Sequence, residues 1–251
     1  MCKFIVNHIV AIASVFAALL MFIPLPEFAL NILYILIWGY CMFLMVTVHN
    51  RKEKMLTLPR KLLFLSLAIL GIEISYTRII LTYEMHIRMN PETCFKFMYI
   101  INIIVAVTLL GLSYHFVIKR GTKAAEVTAR FALDTMNQRL FDIDNKLNTG
   151  EITEEEAEQQ KEKVRQDIDF FSNLDGSSRF LAGNMKALIF IYVISIVGGC
   201  LIGVLQNSYS VQDALNIVSL PALLSIICGS MCTTSLASCI AHSLMNAKES
   251  K

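Results

Sequence analysis

The sequence has little charge, and much of that charge lies in one stretch. Only 17% of its 251 residues are Asp, Glu, Lys or Arg, against about 25% in soluble domains. Hydrophobic residues make up 55% of the chain, and several apolar runs reach about 20 residues, the length of a helix that crosses a bilayer. A soluble fold is therefore not expected. The composition predicts an all-α, polytopic helical membrane protein in contact with the lipid bilayer.

Several kinds of site are also missing. The seven cysteines form no C-x-x-C pair, so they predict neither a disulfide framework nor a zinc site. No basic stripe interleaved with aromatic residues occurs, so nucleic acid is not an expected partner. No catalytic triad, metal cluster or phosphate loop can be recognised. We therefore expect no enzyme activity, no metal and no cofactor.

The apolar runs predict six membrane spans, at residues 4–23, 28–48, 62–82, 97–118, 187–205 and 217–244. Pro221 and Gly229 interrupt the last run, which is either one kinked helix or two short ones. Basic residues follow the second span at Arg51–Lys54 and the fourth span at Lys119 and Arg120. The positive-inside rule therefore places these loops, and with them both chain termini, in the cytoplasm.

A polar insert, residues 119–186, separates the fourth span from the fifth, and it divides the chain into residues 1–118, the insert and residues 187–251. The pattern predicts a helix-loop-helix, with helices at 119–136 and 153–173 and a turn at 142–150. The second helix should begin at Thr153, which has Glu156 at the spacing of a capping box, and should stop at Asp175-Gly176. Arg130 and Asp134 lie four residues apart, which predicts an ion pair on one helix face.

Two ionisable residues, Glu73 and Arg78, lie in the third span. Such groups cost at least ~2.5 kcal/mol each at membrane depth, so they should face a bundle interior or a wet cavity. Glu73 is the stronger functional candidate, whereas Arg78 either has a function or reaches the outer membrane surface. In the fourth span, Asn102 and His115 are expected to be satisfied by a neighbouring helix, and the Gly198-Gly199 pair in the fifth span predicts close helix packing.

The run from Gly121 to Ile152, GTKAAEVTARFALDTMNQRLFDIDNKLNTGEI, resembles the signature of the FHIPEP family of flagellar and type III secretion export-gate proteins. The likeness continues through DGSSRF at 175–180, IVGG at 196–199 and PALL at 221–224, so it covers nearly the whole chain. The resemblance implies a protein of the bacterial inner membrane that forms a homo-oligomeric ring. It also implies other export-gate membrane subunits and exported proteins as partners, and export driven by the proton-motive force.

The resemblance also carries charged residues over. Four positions of the family signature keep their charge in this chain, and a carboxylate at a wet membrane edge near an arginine can change its protonation and re-pair. These four residues, together with the two in the third span, are the candidates for proton coupling or gating: Arg130, Asp134, Asp144, Asp175, Glu73 and Arg78.

The chain departs from the family pattern at several positions. Residues 137–141 differ, Asn184 replaces an aspartate, Glu73 replaces an asparagine, and a chain that ends at Lys251 is expected to lack the large C-terminal cytoplasmic domain of ordinary members. Three hypotheses stay open. The protein is a diverged export-gate subunit, a non-transporting relative that assembles with or modulates a full-length paralogue, or an independent proton- or ion-conducting membrane protein.

Overall fold

The computed structural model describes residues 15, 19, 25–50, 56–82 and 98–249. Within these ranges the chain forms helices joined by short turns. They are α1 (Glu27–Asn50), α2 (Leu58–Leu81), α3 (Met98–Leu112), α4 (Lys119–Asp134), α5 (Met136–Asn148), α6 (Glu154–Asn207) and α7 (Val211–Glu249). A π-helical segment, Ser113–Ile118, joins α3 to α4 without a break.

Five helical runs are long and apolar enough to cross a membrane: α1, α2, the run from Met98 to Asn148, α6 and α7. They correspond to the second to sixth predicted spans, and the polytopic helical membrane fold is confirmed. The first predicted span, residues 4–23, lies outside the described residues except for Val15 and Leu19, which are helical. The predicted basic loop at Arg51–Lys54 lies outside the described residues as well.

The centre of the bundle is formed by α2, α6 and α7, which pack against one another, while α1 and α3 flank them. Leu62, Leu65, Ile69 and Ile72 are buried along α2, because residues three and four apart share one helix face. By contrast, α1 and α3 expose many of their large apolar side chains. In a membrane protein such outward faces are covered by lipid.

The last apolar run is a single helix, α7, which continues through both Pro221 and Gly229. Proline removes one backbone hydrogen bond and usually bends a helix. Buried residues on both sides of it, among them Val218, Ala222 and Ile226, hold this helix in the bundle core. The alternative of two short spans is therefore excluded.

Glycines in α6 bring it close to its neighbours, as predicted. A Cβ at Gly198 would lie 2.9 Å from Leu81 in α2, and a Cβ at Gly199 would lie 2.7 Å from Val218 in α7. Both distances are shorter than normal carbon contacts. A larger residue at Gly199 would therefore collide with the branched side chain of Val218, whereas one at Gly198 would require the end of the Leu81 side chain to move.

The predicted stop of the second insert helix at Asp175-Gly176 is wrong. Helix α6 runs without interruption from Glu154 to Asn207, and so joins the insert to the fifth span. Its buried residues continue at helical spacing across the glycine, through Phe171, Leu174, Ser178 and Leu181. Glycine inside a helix costs about 1 kcal/mol relative to alanine. The packing of these buried residues outweighs that cost at Gly176.

The predicted turn at residues 142–150 is also wrong at its start, because residues 142–148 belong to α5. Ile143 is buried. It packs with Leu140 and Leu147 of α5 and with Val164 near the beginning of α6. The chain turns only at Thr149–Glu151, where Gly150 has φ +74°, a backbone conformation that favours glycine. We call α5, this turn and the first part of α6 up to Ile168 the hairpin.

The capping box is confirmed. The backbone N–H of Glu156 donates to the Thr153 hydroxyl at 3.3 Å, and the Thr153 N–H donates to the Glu156 carboxylate at 2.9 Å. In the bundle, the Asn102 amide donates to the Ser219 hydroxyl at 3.0 Å, as predicted. The expectation for His115 is wrong, because its side chain is exposed next to the ring of Phe116.

Candidate functional site

Four charged side chains meet where α4 passes α6, and we call them the charge cluster: Glu126, Arg130, Asp175 and Arg179. Arg130 donates to Glu126 at 2.6 Å within α4, and Arg179 donates to Asp175 at 3.0 Å within α6. A third ion pair, from Arg179 Nη2 to Glu126 Oε1 at 3.5 Å, joins the two helices. The cluster therefore links the first insert helix to the long helix that continues into the membrane.

The cluster balances two cations against two carboxylates, and its arginines remain open to solvent. The side chains of Arg130 and Arg179 are 73% and 58% exposed, so their pairs contribute only about 0–1 kcal/mol each. Asp175 is less accessible, and its Oδ1 is buried without a hydrogen-bond partner among the described residues. Pairs of this strength can exchange partners at low cost.

The predicted ion pair between Arg130 and Asp134 is wrong. Arg130 pairs with Glu126, one turn earlier in α4, and Asp134 is exposed at the end of the helix. Both acidic residues lie four positions from the arginine. An acid on the N-terminal side of a base at this spacing is the better arrangement on a helix, which favours Glu126.

Asp144 lies away from the cluster, on the hairpin. Its Oδ1 is 2.7 Å from Lys161 Nζ, so it ties α5 to α6. The hydrogen bond that Lys161 donates to the Asp144 carboxylate raises the pKa of the lysine above its usual value. A second ion pair, Arg139 to Asp167 at 3.6 Å, repeats the same connection. These two ion pairs hold α5 against α6 in the hairpin. The partner of Asp144 is thus a lysine and not an arginine.

Glu73 is fully buried in the bundle, with 0% of its surface exposed. Its Oε2 accepts a hydrogen bond of 2.7 Å from the Ser225 hydroxyl of α7. Its Oε1 has no hydrogen-bond partner among the described residues and lies against Gly229 of α7. We call Glu73, Tyr34, Ser225 and Gly229 the Glu73 site, since the side chain of Tyr34 in α1 lies beside the same carboxyl.

Arg78 is half-buried in the last turn of α2. The described residues include no ion pair between Arg78 and Glu73, in agreement with their unfavourable spacing. Of the six candidates, the structure brings together only Arg130 and Asp175, through Glu126 and Arg179. Asp134, Asp144, Glu73 and Arg78 each lie in separate surroundings.

Sequence reasoning missed five of the residues that build these sites: Glu126, Arg179, Tyr34, Ser225 and Gly229. Glu126 and Arg179 carried a visible signal, because each lies four residues from its partner on the same helix. Nothing in the local sequence indicates that α4 packs against α6. Ser225 and Gly229 face Glu73 across 152 and 156 residues of sequence, a distance over which periodicity says nothing about contact.

Asn184, where the resemblance implies an aspartate, is buried between α6 and α2. Its side-chain amide donates to the backbone carbonyl of Ser66 at 3.1 Å, and its Oδ1 has no partner among the described residues. A carboxylate at this position would have no amide hydrogen to offer to that carbonyl. Asn184 thus joins two helices as a hydrogen-bond donor, which an aspartate cannot do in its charged form.

The sequence profile of the FHIPEP family matches residues 17–229, which include α1 to α6 and the first half of α7. The chain belongs to the FHIPEP family. Its insert, with the charge cluster and the hairpin, is therefore the folded form of the signature that the sequence suggested. The described bundle up to residue 229, including the Glu73 site, lies within the matched range, although Glu73 stands where the resemblance implies an asparagine.

Among the relatives is the flagellar biosynthesis protein FlhA of Bacillus subtilis, 34% identical over 211 residues, or 82% of this chain and 31% of the relative. FlhA of Escherichia coli is 35% identical over 206 residues, covering 78% and 30% of the two chains. FlhA of Treponema pallidum is 31% identical over 223 residues, covering 84% and 32%. The matches thus span about a third of these relatives. No solved structure matches the chain.

Proposed function

We propose that this FHIPEP-family protein is a membrane subunit of a type III protein export gate, of the flagellar or the injectisome kind. The observation that carries the proposal is the family match over most of the chain to relatives named as flagellar biosynthesis proteins. The protein lies in the bacterial inner membrane, with both termini and residues 119–186 on the cytoplasmic side. Residues 1–118 and 187–251 form the membrane part.

The subunit couples the proton-motive force to export through its charged residues. Support comes from the charge cluster, where Arg130 and Asp175 form weak, solvent-accessible pairs that can exchange. Because Asp175 lies on α6, which continues into the bundle, a change of pairing there acts directly on a membrane helix. Asp134, Asp144, Glu73 and Arg78 complete the set of coupling candidates.

The partners of the subunit are further copies of itself in a ring, other export-gate membrane subunits and the exported proteins. The insert offers apolar contact surface for protein partners. Val127, Phe131 and Leu133 of α4 and Phe141 of α5 are between 48% and 64% exposed. Exposed phenylalanines on a polar segment are typical of surfaces that another protein covers.

The proposal is tested by extracting the tagged protein from its native membrane in mild detergent. We expect an oligomer by mass photometry and export-gate subunits among the proteins that copurify with it. A monomer without any such subunit would contradict the proposal. A matched variant, Phe131→Ser, should reduce copurification if α4 contributes the contact, and Phe28→Ser on the lipid-facing side of α1 serves as its control.

A second function, that of a non-transporting relative, is favoured by Asn184. This residue cannot carry a proton, and its amide is already occupied by the carbonyl of Ser66. Such a protein would assemble with a transporting paralogue and modulate it. Deleting the gene would then alter the rate of export without abolishing it. If instead the protein alone conducts protons in vesicles and Asp144→Asn abolishes this flux, it is an independent proton-conducting protein.

A further inference from the structure

The Glu73 site lies in the part of the bundle where α1, α2 and α7 meet. Its carboxyl is completely buried, and Ser225 donates a hydrogen bond to Oε2, whereas Oε1 has no hydrogen-bond partner among the described residues. An ionised carboxylate normally accepts hydrogen bonds at both oxygens. Burial of an unpaired charge is costly in any protein interior, and most of all inside a bilayer. A charged Glu73 is therefore poorly accommodated by this site.

Within the described part of the chain, the groups that interact with Glu73 offer no positive charge to compensate a carboxylate. The titratable groups that interact with Glu73 are Tyr34 from α1, Tyr76 from its own helix, and Cys228 and Cys232 from α7. None of these side chains is basic. Arg78 lies on the same helix and forms no ion pair with Glu73 within the described part of the chain.

Two polar atoms at the site have no hydrogen-bond partner among the described residues, and they belong to neighbouring side chains. One is Glu73 Oε1 and the other is the hydroxyl oxygen of Tyr34. A proton on the carboxyl adds a donor where the charged form has none. The phenol of Tyr34 can donate to the carboxyl in either form, and the protonated carboxyl can in addition donate to the phenol oxygen, after a small adjustment of either side chain.

The shape of the site matches a carboxyl group. Gly229 leaves the space that Oε1 occupies, and a Cβ at this position would collide with that oxygen. On the side toward α1, an apolar cavity of about 230 Å³ is lined by Tyr34, Trp38, Cys228 and Cys232. Three of these residues, Tyr34, Cys228 and Cys232, also interact with Glu73, so the cavity lies close to the carboxyl.

We propose that Glu73 is a proton-binding site within the membrane bundle, where it holds a proton that the Ser225 and Tyr34 hydroxyls and the space at Gly229 accommodate. The proton comes from water and returns to water, and no other bond changes. The site adds an intramembrane proton to the coupling function proposed above. A role of this proton in export rests on the function proposed above. The binding of the proton to Glu73 requires only that the bundle is folded in a membrane.

Infrared spectroscopy of the full-length protein in lipid vesicles tests the proposal. The carbonyl stretch of a protonated carboxyl is separate from the bands of carboxylates. At neutral pH we expect such a band in the wild type, its loss in Glu73→Gln, and its retention in the matched variant Asp144→Asn. Raising the pH should reduce the band. A wild-type spectrum in which Glu73→Gln removes no such band would overturn the proposal.

A second variant keeps the test decisive if Glu73→Gln does not fold. Ser225→Ala leaves the carboxyl in place but removes the hydroxyl that donates to it. Because a hydrogen bond lowers the frequency of a carbonyl stretch, the band should remain and move to higher frequency. An unchanged band would mean that it belongs to another carboxyl, which contradicts the assignment. Neither infrared result depends on copurification of export-gate subunits. A negative infrared result would therefore leave the proposed export role standing, and a negative copurification result would leave proton binding at Glu73 standing.

Discussion

Glu73 in the bundle and the charge cluster on the insert both present carboxylates, but the two regions accommodate them differently. In the cluster, two largely exposed arginines pair with two partly buried acids, and each contact is weak. At the Glu73 site, one buried carboxyl meets one hydroxyl and a space left by a glycine. The first region tolerates changes of charge, whereas the second depends on the size and protonation of a single group.

This contrast bears on how a proton-coupled protein can be built. We expect the cluster to re-pair when the charge around it changes, because its arginines are largely exposed and its ion pairs are weak. At the Glu73 site, by contrast, the proposed binding or release of a proton changes the charge of a fully buried group that α1, α2 and α7 surround. We therefore expect substitutions at the Glu73 site to affect stability far more than substitutions in the cluster.

The largest effect is expected for Gly229→Ala. Its new Cβ would collide with Glu73 Oε1, and overpacking of this kind costs about 1–3 kcal/mol. Thermal unfolding in detergent, followed by circular dichroism, should show a clear loss of stability. Gly39→Ala is the matched control, because nothing lies within 4 Å of a Cβ at that position. Combining Gly229→Ala with Glu73→Ala should recover part of the loss, whereas simple additivity would argue against the contact.

Ser225→Ala should come next. It leaves Glu73 Oε2 buried without its donor, a change that costs about 1–3 kcal/mol. The control is Ser230→Ala, since Ser230 is equally buried in α7 but donates only to the carbonyl of Ile227 in its own helix. The same unfolding assay should therefore separate the two serines. Equal losses would indicate that Ser225 acts only through local helix packing.

In the insert, Thr153→Ala should have a smaller and more local effect. It removes the side chain that caps α6, which costs about 1 kcal/mol. Hydrogen exchange should become faster at the first amides of α6, while the buried amides of α2 keep their protection. Thr149→Ala, at the far side of the same turn, is the control. Faster exchange throughout the bundle would contradict the independence of the two regions.

A pH dependence should accompany this cap. The backbone N–H of Thr153 donates to Glu156 and lowers the pKa of that carboxyl below its usual value of 4.5. The ionised Glu156 carboxylate therefore stabilises the start of α6 fully at pH values above its pKa in the unfolded chain. This stabilisation is lost as the pH falls through the lower pKa of the folded state. Exchange at the start of α6, corrected for intrinsic rates, should rise in acid. Glu156→Gln, which keeps an acceptor but does not titrate, should flatten this dependence.

The smallest effect is expected in the charge cluster. Arg130→Ala removes one exposed ion pair with Glu126, worth about 0–1 kcal/mol and weakened further by salt. The unfolding temperature should hardly change, and a difference seen at low ionic strength should vanish at high ionic strength. A loss as large as that of Gly229→Ala would show that the cluster is a structural element and would remove the contrast between the regions.

Much of the fold followed from the sequence, because the length of the apolar runs determines which segments can cross a bilayer. The capping box of Thr153 and Glu156 was also visible, since both partners lie within one turn. The start of a turn at Asp142 and the helix stop at Gly176 were wrong for one reason: long-range packing of Ile143 and Leu174 outweighs local turn and glycine signals.

The candidate sites were predicted less well. Glu73 was recognised, because a charge in an apolar run stands out. Its partners Ser225 and Gly229 were not, because they come from a helix more than 150 residues away. The Arg130 pair was assigned to the wrong acid, although the orientation preference of helical ion pairs favoured Glu126. Charges can thus be located from sequence, whereas their partners depend on which helices meet.

The most direct test of the contrast is to map every protonated carboxyl with dicyclohexylcarbodiimide, an apolar reagent that modifies such groups from within the membrane. The protein is reconstituted in vesicles, treated at neutral pH, digested and analysed by mass spectrometry. We predict an adduct on Glu73, its disappearance in Glu73→Gln, and no adduct on Asp134, Asp144 or Asp175. Adducts on these insert aspartates with none on Glu73 would contradict the account.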